Sequence, residues 1–369
     1  MSENLTDNPP LIAVPTPLAS QLASGGNPPH LTQFHAVLTP QQFDAPAAEI
    51  AALSRGAAAH DLGWMRRVSV RGKDRFRWLS GMVSNTVKEL PENGGAWNFV
   101  LNAQGRIQGN ITVWREGDQL ELQIAADQYE KLIAHLDHFI IMDDVELVGF
   151  DPAAETVIGL AGPQARDVLE RMGLPVPSVQ MTGQQVEWNG IDLCIRHAFG
   201  TMVDRFELCV PQSGLTVLWR ALCTAGAKPV GSAALEALRV AEGIPVYGVD
   251  IAERDLPQET SQMQALHFNK GCYLGQEIVE RIRSRGNVHR HLRRLELDGP
   301  LAPAGTELHL ENASVGQITS SAELPLEGKN RRFALAMVRS DAEMKKQSMV
   351  YTVGSDSGRA GILDAAPCL

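Results

Sequence analysis

Residues 97–136, WNFVLNAQGRIQGNITVWREGDQLELQIAADQYEKLIAHL, carry the pattern that decides the fold class. Apolar residues alternate from Trp97 to Leu101, stop at the turn-like segment 102–105, and alternate again from Ile107 to Val113, which predicts a β-hairpin. A third alternation at residues 120–124 predicts another strand. Apolar residues then recur every three to four positions from residue 129 onward, which is typical of an amphipathic helix. Strands followed by a helix that covers one face predict an α+β unit.

The same texture returns downstream of residue 151. The pair Asn189-Gly190 stands between two apolar stretches and is a strong hairpin turn. Leu235 and Leu238 mark a helix that Gly243 ends. The simplest account is two consecutive α+β units of the ferredoxin-like type, at residues 44–150 and 151–290.

The two ends of the chain differ from these units. Downstream of about residue 291, short alternating segments are separated by Gly, Pro and Asn, which predicts a small β-barrel at residues 291–369. The first 43 residues contain no Lys or Arg and seven of the 21 prolines. This composition predicts a flexible, Pro-rich tail at residues 1–43.

Composition and charge argue against several classes of protein. The chain has 369 residues, and 33 Lys and Arg against 43 Asp and Glu give a net charge of -10, which disfavours a general nucleic-acid partner that needs a broad basic surface. No apolar run approaches the ~18 residues of a membrane span. Five widely spaced cysteines without a C-x-x-C pair favour a reducing compartment and outline no metal site. We therefore expect a cytoplasmic protein with no metal ligands and no membrane partner.

One segment predicts chemistry more strongly than the rest, at residues 267–292, HFNKGCYLGQEIVERIRSRGNVHRHL. Gly271 and Gly275 flank Cys272, and a helical pattern begins just beyond them. A nearby helix start and Lys270 both favour a thiolate, so Cys272 is a candidate nucleophile or soft-metal ligand, with a small buried residue as the alternative. Six arginines follow and would attract a polyanion such as a polyglutamate tail or RNA, unless they form only a solvated helix face.

Several segments in this order resemble a known family. KGCYLGQE (270–277) resembles the signature of the YgfZ-type folate-binding proteins, as do LRVAEGIPVYGVDI (238–251), LPQE (256–259) and LNAQGRIQGNITV (101–113). VRGKDRFRWLSGMVSN (70–85) and GLAGPQARDVL (159–169) are similar to segments of the wider glycine-cleavage T-protein, or aminomethyltransferase, superfamily. The resemblance covers about residues 58–300 and, by position, the terminal β domain.

The resemblance implies a three-domain ring whose central channel binds tetrahydrofolate. By position, Arg239 and Glu207 match folate-contacting residue types, and Asn85, Asn110 and Glu259 would line the channel. A carboxylate can accept hydrogen bonds from the amide and amino groups of a pterin, and an arginine suits the glutamate tail of a folate. From the residues alone, Arg239 is equally a surface helical arginine and Glu207 a solvent-exposed strand residue.

The resemblance also implies a role in maturing or repairing iron-sulfur proteins, including radical enzymes that modify tRNA, with iron-sulfur client or carrier proteins as partners. T-proteins carry paired aspartates where this chain has Gly109 and Asn110, and an amide cannot act as their acid or base. We therefore expect a tetrahydrofolate-binding factor for iron-sulfur assembly or repair, with Cys272 and Lys270 as the reactive groups. A folate-dependent one-carbon transferase that uses a thiol and a non-catalytic folate-binding scaffold remain as alternatives.

Cys272 is the functional thiol that the sequence predicts. The other internal cysteines lie in or beside predicted strands and helices, where a thiol is usually buried and inert, and Cys368 stands next to the last residue.

Overall fold

The computed structural model describes residues 13–25, 28–286, 288–326 and 328–364. The helices in these ranges are α1 (Pro17–Ala23), α2 (Pro46–Arg55), α3 (Arg75–Met82), α4 (Ala126–Asp137), α5 (Ala165–Arg171), α6 (Gln212–Thr224), α7 (Ser232–Glu242), α8 (Gln276–Arg285) and α9 (Ser340–Met344), with 3-10 turns at Pro257–Thr260 and Met263–Ala265. The strands are β1 (His30–Phe34), β2 (Val37–Gln42), β3 (Ala58–Asp61), β4 (Met65–Arg71), β5 (Gly95–Leu101), β6 (Ile107–Glu116), β7 (Gln119–Ala125), β8 (Glu146–Gly149), β9 (Glu155–Ala161), β10 (Thr182–Trp188), β11 (Ile191–Ala198), β12 (Arg205–Pro211), β13 (Lys228–Pro229), β14 (Arg290–Asp298), β15 (Glu307–Leu310), β16 (Ala313–Leu326), β17 (Lys329–Arg339), β18 (Met349–Val353) and β19 (Asp356–Ile362).

The first sheet is antiparallel and has the order β5-β6-β7-β4-β8. Its core is formed with α3 and α4, whose buried residues include Leu79, Leu132 and Leu136. The predicted hairpin is present, because β5 and β6 pair antiparallel from Gly95 to Leu101, with a register shift between Val100 and Leu101. The strands and the helix predicted from residues 97–136 are thus confirmed.

The second sheet has the order β10-β11-β12-β9-β3-β13. Residues on α1, α5 and α6 bury apolar side chains against it, and the core includes Leu18, Val168 and Leu218. The Asn189-Gly190 turn joins β10 to β11, and both residues have positive φ, as the tightest hairpins require.

The predicted boundary between residues 150 and 151 does not separate the two sheets completely. Strand β3 lies in the second sheet, where it pairs antiparallel with β9 and parallel with β13. The predicted unit 44–150 is therefore incorrect in this part, because a strand from its beginning completes the sheet of the second unit. The sequence of β3, AAHD, is buried at every position and so lacks the alternation that reports a half-exposed strand.

The prediction of a flexible tail is wrong for residues 13–25 and 28–43. Helix α1 begins with Pro17 in its first turn, Thr16 caps it, and Leu18 is buried against the second sheet. Strands β1 and β2 form a hairpin that contains Pro40. Proline therefore starts a helix and tolerates a strand position here, which its fixed φ allows. Residues 1–12, 26 and 27 of the predicted tail lie outside the described residues.

The predicted C-terminal barrel is confirmed. Its strands close in the order β14-β17-β16-β15-β18-β19 around a core that includes Leu308 and Tyr351. Helix α7 packs across β16 and β17, and a shared core joins Leu238 of α7 to Phe333 and Leu335 of the barrel. In the described parts of the chain, no helix is both long and apolar enough to cross a membrane.

Candidate functional site

Two adjoining cavities lie where the first sheet faces the second, with volumes of about 220 and 200 Å³. They share His60, Trp64, Asn110 and Arg205 in their walls, and we call them together the central cavity. The residues after α7, among them Pro245, close one side. Both sheets and the segment after α7 therefore contribute to one enclosed space.

Aromatic side chains supply flat walls. The rings of His35 and Trp64 stack at 4.3 Å between centroids, and Phe34 meets Trp64 edge-on at 5.6 Å. At the other end, Trp97 and Phe199 stack at 6.3 Å with an angle of 28° between their planes. Rings arranged in this way bury the faces of a planar heterocycle efficiently.

Four buried polar side-chain atoms of wall residues have no hydrogen-bond partner among the described residues: His60 Nδ1, Trp64 Nε1, Asn110 Oδ1 and Arg205 Nε. Two of them are a donor, the indole Nε1 of Trp64, and an acceptor, the side-chain Oδ1 of Asn110. A buried donor or acceptor left without a partner costs about 1–3 kcal/mol, so a ligand that satisfies both regains that energy. The cavity is therefore suited to a polar ligand with at least one acceptor and one donor.

Glu207 lies on β12 and lines the central cavity. Its Oε2 accepts a hydrogen bond from Gln123 Nε2 at 2.8 Å, and Gln123 Oε1 accepts one from Trp114 Nε1 at 2.7 Å. Trp114 thus orients Gln123, which holds the carboxyl group. Burial raises the pKa of Glu207 above its ordinary value. Glu207 therefore faces an enclosed space, not the bulk solvent that the sequence left open as an alternative.

Gly109 and Asn110, which stand where T-proteins carry acids, lie on opposite faces of β6. A Cβ on Gly109 would lie 2.7 Å from Gln128 Oε1 and 2.8 Å from Leu132, so a side chain at this position would have to displace the ends of those two side chains. Asn110 faces the cavity, and Gln128 Oε1 accepts a hydrogen bond from its backbone N at 3.1 Å. Only one of the two replaced positions can contact a ligand in the central cavity.

Arg239 borders the cavity but is neither a surface residue nor a free cation. Its guanidinium donates to the Asp250 carboxylate at 2.7 Å, Glu236 at 2.7 Å, the Ile244 carbonyl at 3.0 Å and Ser320 Oγ at 3.0 Å. A further contact to Glu236 engages the last of its five N–H groups. Arg239 therefore ties α7 to the segment that follows it and to the barrel, and the structure does not give it the folate contact expected from the sequence.

Asn85 and Glu259 also differ from the expectation, because the central cavity is not lined by either. Asn85 Nδ2 donates to the carbonyls of Trp97 at 3.0 Å and Gln264 at 2.8 Å. Glu259 Oε2 accepts from the Leu256 backbone N at 2.8 Å, and its Oε1 accepts from Arg290 Nε at 3.3 Å. Both side chains are buried and hold loops in place.

Lys270 and Cys272 face different environments. Lys270 is 6% exposed, and its Nζ donates to the carbonyls of Val83 at 2.7 Å and Asn85 at 2.6 Å. Burial lowers the pKa of Lys270 to about 7. Cys272 is exposed, four residues before α8 begins, as the sequence predicted for a thiol near a helix start. The described wall of the central cavity includes neither residue.

The loop that carries Cys272 is fixed by close packing at its end. Gly275 has a φ of 80°, and a Cβ there would lie 2.6 Å from the carbonyl oxygen of Asn102 and 2.9 Å from the Cα of Gly105. Gly275, the second glycine of the motif, is therefore required for the loop to approach the β5–β6 turn. Gly271, by contrast, has open space around the position of a Cβ.

Several cavity residues were not predicted from the sequence, among them Phe34, His35, His60 and Trp64. Phe34 and His35 come from the hairpin that was predicted to be a tail, and His35 Nδ1 lies 3.0 Å from Asp127 Oδ2 at the start of α4. His60 on β3 is buried, and burial together with Arg205 lowers its pKa to about 3, so its ring is neutral. The aromatic pair between two short apolar stretches, LTQFHAVL, was the only available sign of a hairpin.

The described residues contain no group of three or more His, Cys, Asp or Glu side chains arranged to hold a metal ion.

Comparison with known proteins gives concordant matches. A family model described as the GCVT N-terminal domain matches residues 28–270. The aminomethyltransferase of Thermoanaerobacter sp. is 24% identical over 305 residues, which cover 80% of this chain and 82% of the relative. A chloroplastic protein of Arabidopsis thaliana is 25% identical over 338 residues, which cover 89% of this chain and 75% of the relative.

The fold is also that of a solved structure. Glycine cleavage system aminomethyltransferase T from Bartonella henselae superposes with a TM-score of 0.82, and the match covers 94% of this chain and 95% of that one at 20% identity. The T-protein-like fold predicted from the sequence is thereby confirmed.

Proposed function

This chain belongs to the family of the GCVT N-terminal domain, and on that premise we propose that its central cavity binds a reduced folate, tetrahydrofolate. The observation that carries the proposal is the set of four buried, unsatisfied atoms, among them Trp64 Nε1 and Asn110 Oδ1, in a wall that also contains Glu207. These groups need an acceptor and donors from a ligand. A pterin ring supplies both on one flat heterocycle.

The fit extends to shape and charge. Trp64 with His35, and Trp97 with Phe199, offer flat apolar surfaces at two ends of the cavity. Glu207 is held in place by Gln123, so its second oxygen can accept a hydrogen bond without a conformational search. The proposed contacts are therefore Glu207, Asn110 and Trp64, and Arg239 is reassigned to supporting the wall.

Glycine-cleavage aminomethyl transfer is not part of the proposal. Asn110 carries an amide where an acid would be needed, and Gly109 has no side chain and faces Gln128 and Leu132 of α4. A one-carbon transferase that uses a thiol is a weaker alternative, since Cys272 does not line the central cavity and the described cysteines 194 and 209 are buried.

The second part of the proposal is a YgfZ-type role in the assembly or repair of iron-sulfur clusters, in the cytoplasm. It is supported by the segment 270–277 and by the exposure of Cys272 on a glycine-flanked loop. Arg281 and Arg283 on the adjacent α8 are exposed and give this surface positive charge. An exposed thiol beside cations can contact the cluster or the thiolates of an iron-sulfur client or carrier protein.

Anaerobic calorimetry with tetrahydrofolate tests the first part. The wild-type chain is expected to bind, and Glu207→Gln to bind about 10- to 100-fold more weakly, because a charge-assisted hydrogen bond contributes about 1.5–3 kcal/mol. Glu187→Gln, an exposed carboxylate on β10, is the matched control and should bind as the wild type does. Absence of binding by any reduced folate contradicts the proposal.

Complementation tests the second part. Cells that lack the gene are expected to lose activity of iron-sulfur enzymes and to recover it with the wild-type gene but not with Cys272→Ser at equal protein level. Recovery with Cys272→Ser, together with retained folate binding, leaves the non-catalytic scaffold as the function.

A further inference from the structure

Cys194 and Cys209 are direct partners in the antiparallel pair of β11 and β12. Direct partners in such a pair have Cα atoms about 4.5–5.5 Å apart. This range falls within the Cα separations of about 4.4–6.8 Å that disulfides span. Both thiols are free, and they are 6% and 1% exposed. The backbone therefore already holds the two cysteines at a separation that a disulfide accepts.

The thiols border a buried network of charges. Cys194 Sγ donates to Glu116 Oε1 at 3.2 Å, and the same oxygen accepts from Arg196 Nη2 at 2.7 Å. Arg196 also pairs with Glu121 at 2.6 Å, as does Arg67. A thiol surrounded only by apolar groups is inert, whereas neighbouring cations stabilise a thiolate. Two arginines thus lie in the network beside this pair, each of them paired with a carboxylate.

The two thiols are also unequal. The neighbouring Cys194, together with Arg196 and Arg67, lowers the pKa of Cys209, while Cys209 and burial raise the pKa of Cys194. Cys209 is the more acidic thiol of the pair, and Cys194 donates its proton to Glu116. Such an asymmetric pair divides naturally into an attacking and a resolving sulfur.

We propose that Cys194 and Cys209 form a reversible intrachain disulfide when the protein meets a hydroperoxide, a two-electron oxidant. The Cys209 sulfur attacks one peroxide oxygen, the O–O bond breaks, and the other oxygen leaves as water after taking a proton. The Cys194 sulfur then attacks the sulfur of the resulting sulfenic acid and forms the disulfide bond. The sulfur–oxygen bond breaks, and the hydroxyl group leaves as a second water with the proton of the Cys194 thiol. Two thiols and one hydrogen peroxide give one disulfide and two waters.

The position of the pair connects it to the central cavity. Two residues along the strands, the next pair on this face is Arg196 with Glu207, and Glu207 lines the cavity. Cys194 and Cys209 cluster with Leu62, against which Trp64 packs. The disulfide would form in the strands that carry the cavity wall. Because its formation requires no folate, this proposal can be tested independently of folate binding.

Peptide mapping of the full-length, fully reduced protein tests the proposal. After treatment with hydrogen peroxide, free thiols are blocked with N-ethylmaleimide in acid and the protein is digested with trypsin, which cuts at Arg196 and Arg205 between the two cysteines. The expected product is a linked peptide pair containing Cys194 and Cys209, which dithiothreitol separates. Full maleimide labelling of both cysteines after peroxide treatment of the folded protein overturns the proposal.

Variants identify the order of the steps. Cys194→Ser is expected to abolish the linked peptides and to leave a sulfenic acid on Cys209 that dimedone traps. Cys223→Ser, which removes a half-buried thiol on α6, is the matched control and should retain the linked peptides in full. Linked peptides that form only when the protein is unfolded during oxidation also contradict the proposal, and the wild-type mapping decides this even if a variant folds poorly.

Discussion

The central cavity and the loop around Cys272 distribute their polar groups in opposite ways. The cavity buries a donor on Trp64 and an acceptor on Asn110 that the protein leaves unsatisfied. The loop buries Lys270 with two carbonyl partners and exposes Cys272. The unsatisfied atoms inside the protein can form hydrogen bonds with a small molecule that enters the cavity. The exposed thiol lies on a firmly held loop, where it is accessible to molecules at the surface.

The motif KGCYLGQE and the residues that line the central cavity have different structural roles. Within KGCYLGQE, Lys270 secures the end of α3 and Gly275 allows contact with the β5–β6 turn. These residues preserve the architecture, and the groups that face a ligand are dispersed from Phe34 to Tyr247. The conspicuous motif therefore maintains the local architecture, while inconspicuous residues build the cavity.

The largest expected effect concerns Asn110 in the cavity. We expect the wild-type chain to transfer aminomethyl groups from an amine donor to tetrahydrofolate at least ~10²-fold more slowly than an aminomethyltransferase, because acid-base assistance is worth ~10²–10⁴-fold and an amide provides none. Asn110→Asp should recover part of this rate, and Asn189→Asp in the exposed hairpin turn should recover none. The rate of aminomethyl transfer is measured for this chain and for an aminomethyltransferase under the same conditions. Equal rates for the two proteins would contradict the expectation.

The next effect concerns the stability of the loop. Gly275→Ala is expected to lower the free energy of unfolding by about 3 kcal/mol, because the left-handed backbone disfavours a side chain and the Cβ would meet backbone atoms of the β5–β6 turn. Gly271→Ala lies four residues away in open space and should change it by less than about 0.5 kcal/mol. Urea unfolding compares the two, and equal effects would show that the loop is not fixed by this contact.

Lys270 predicts a pH dependence of stability. Its pKa falls from 10.5 to about 7 on folding, so between these values the unfolded chain binds a proton that the folded chain does not. The free energy of unfolding should therefore rise as the pH increases from about 7 toward 10.5, with no contribution from this residue below that window. Lys270→Met should remove this increment. Identical pH profiles for the two proteins would contradict the burial of the ammonium group.

The smallest expected effect is that of Cys272→Ser on stability. An exposed side chain changes the free energy of unfolding by less than about 0.5 kcal/mol, so the variant should unfold as the wild type does. In the folded wild type, Cys272 should be alkylated before the buried Cys194 and Cys209 at neutral pH. Mass spectrometry of partly labelled protein gives the order in which the cysteines react. Labelling of Cys194 or Cys209 before Cys272 would contradict the prediction that the loop thiol is the accessible one.

Local patterns allowed much of the fold to be predicted. The hairpins at residues 95–116 and 182–198 pair neighbouring segments, so alternation and turn residues were sufficient. Strand β3 was missed because its partners β9 and β13 are distant in sequence and its residues are buried on both faces. The hairpin of β1 and β2 was missed because its prolines were interpreted as disorder.

The site was predicted less completely, for a physical reason. Cys272 was predicted from the residues around it, whereas Asn110 and Glu207 were carried over by position from the resemblance, and the structure places these two in the cavity wall. Whether an arginine is available to a ligand depends on acceptors that surround it in three dimensions, so the five engaged donors of Arg239 left no trace in the sequence. Trp64 and His35 act through stacking between distant segments, which no local pattern reports.

The placement of β3 between β9 and β13 has a consequence for biosynthesis. On a ribosome, Ala58–Asp61 emerges before either neighbour, and Lys228–Pro229 follows about 170 residues later. At a translation rate of about 5–20 residues per second, roughly 10–30 seconds pass between the synthesis of β3 and that of β13, the last strand of its sheet. During that interval the apolar residues of α2, Ile50 and Leu53, lack the core that later covers them. The nascent chain thus exposes these apolar residues over a defined window of translation, and slowing elongation between residues 62 and 228 lengthens that window.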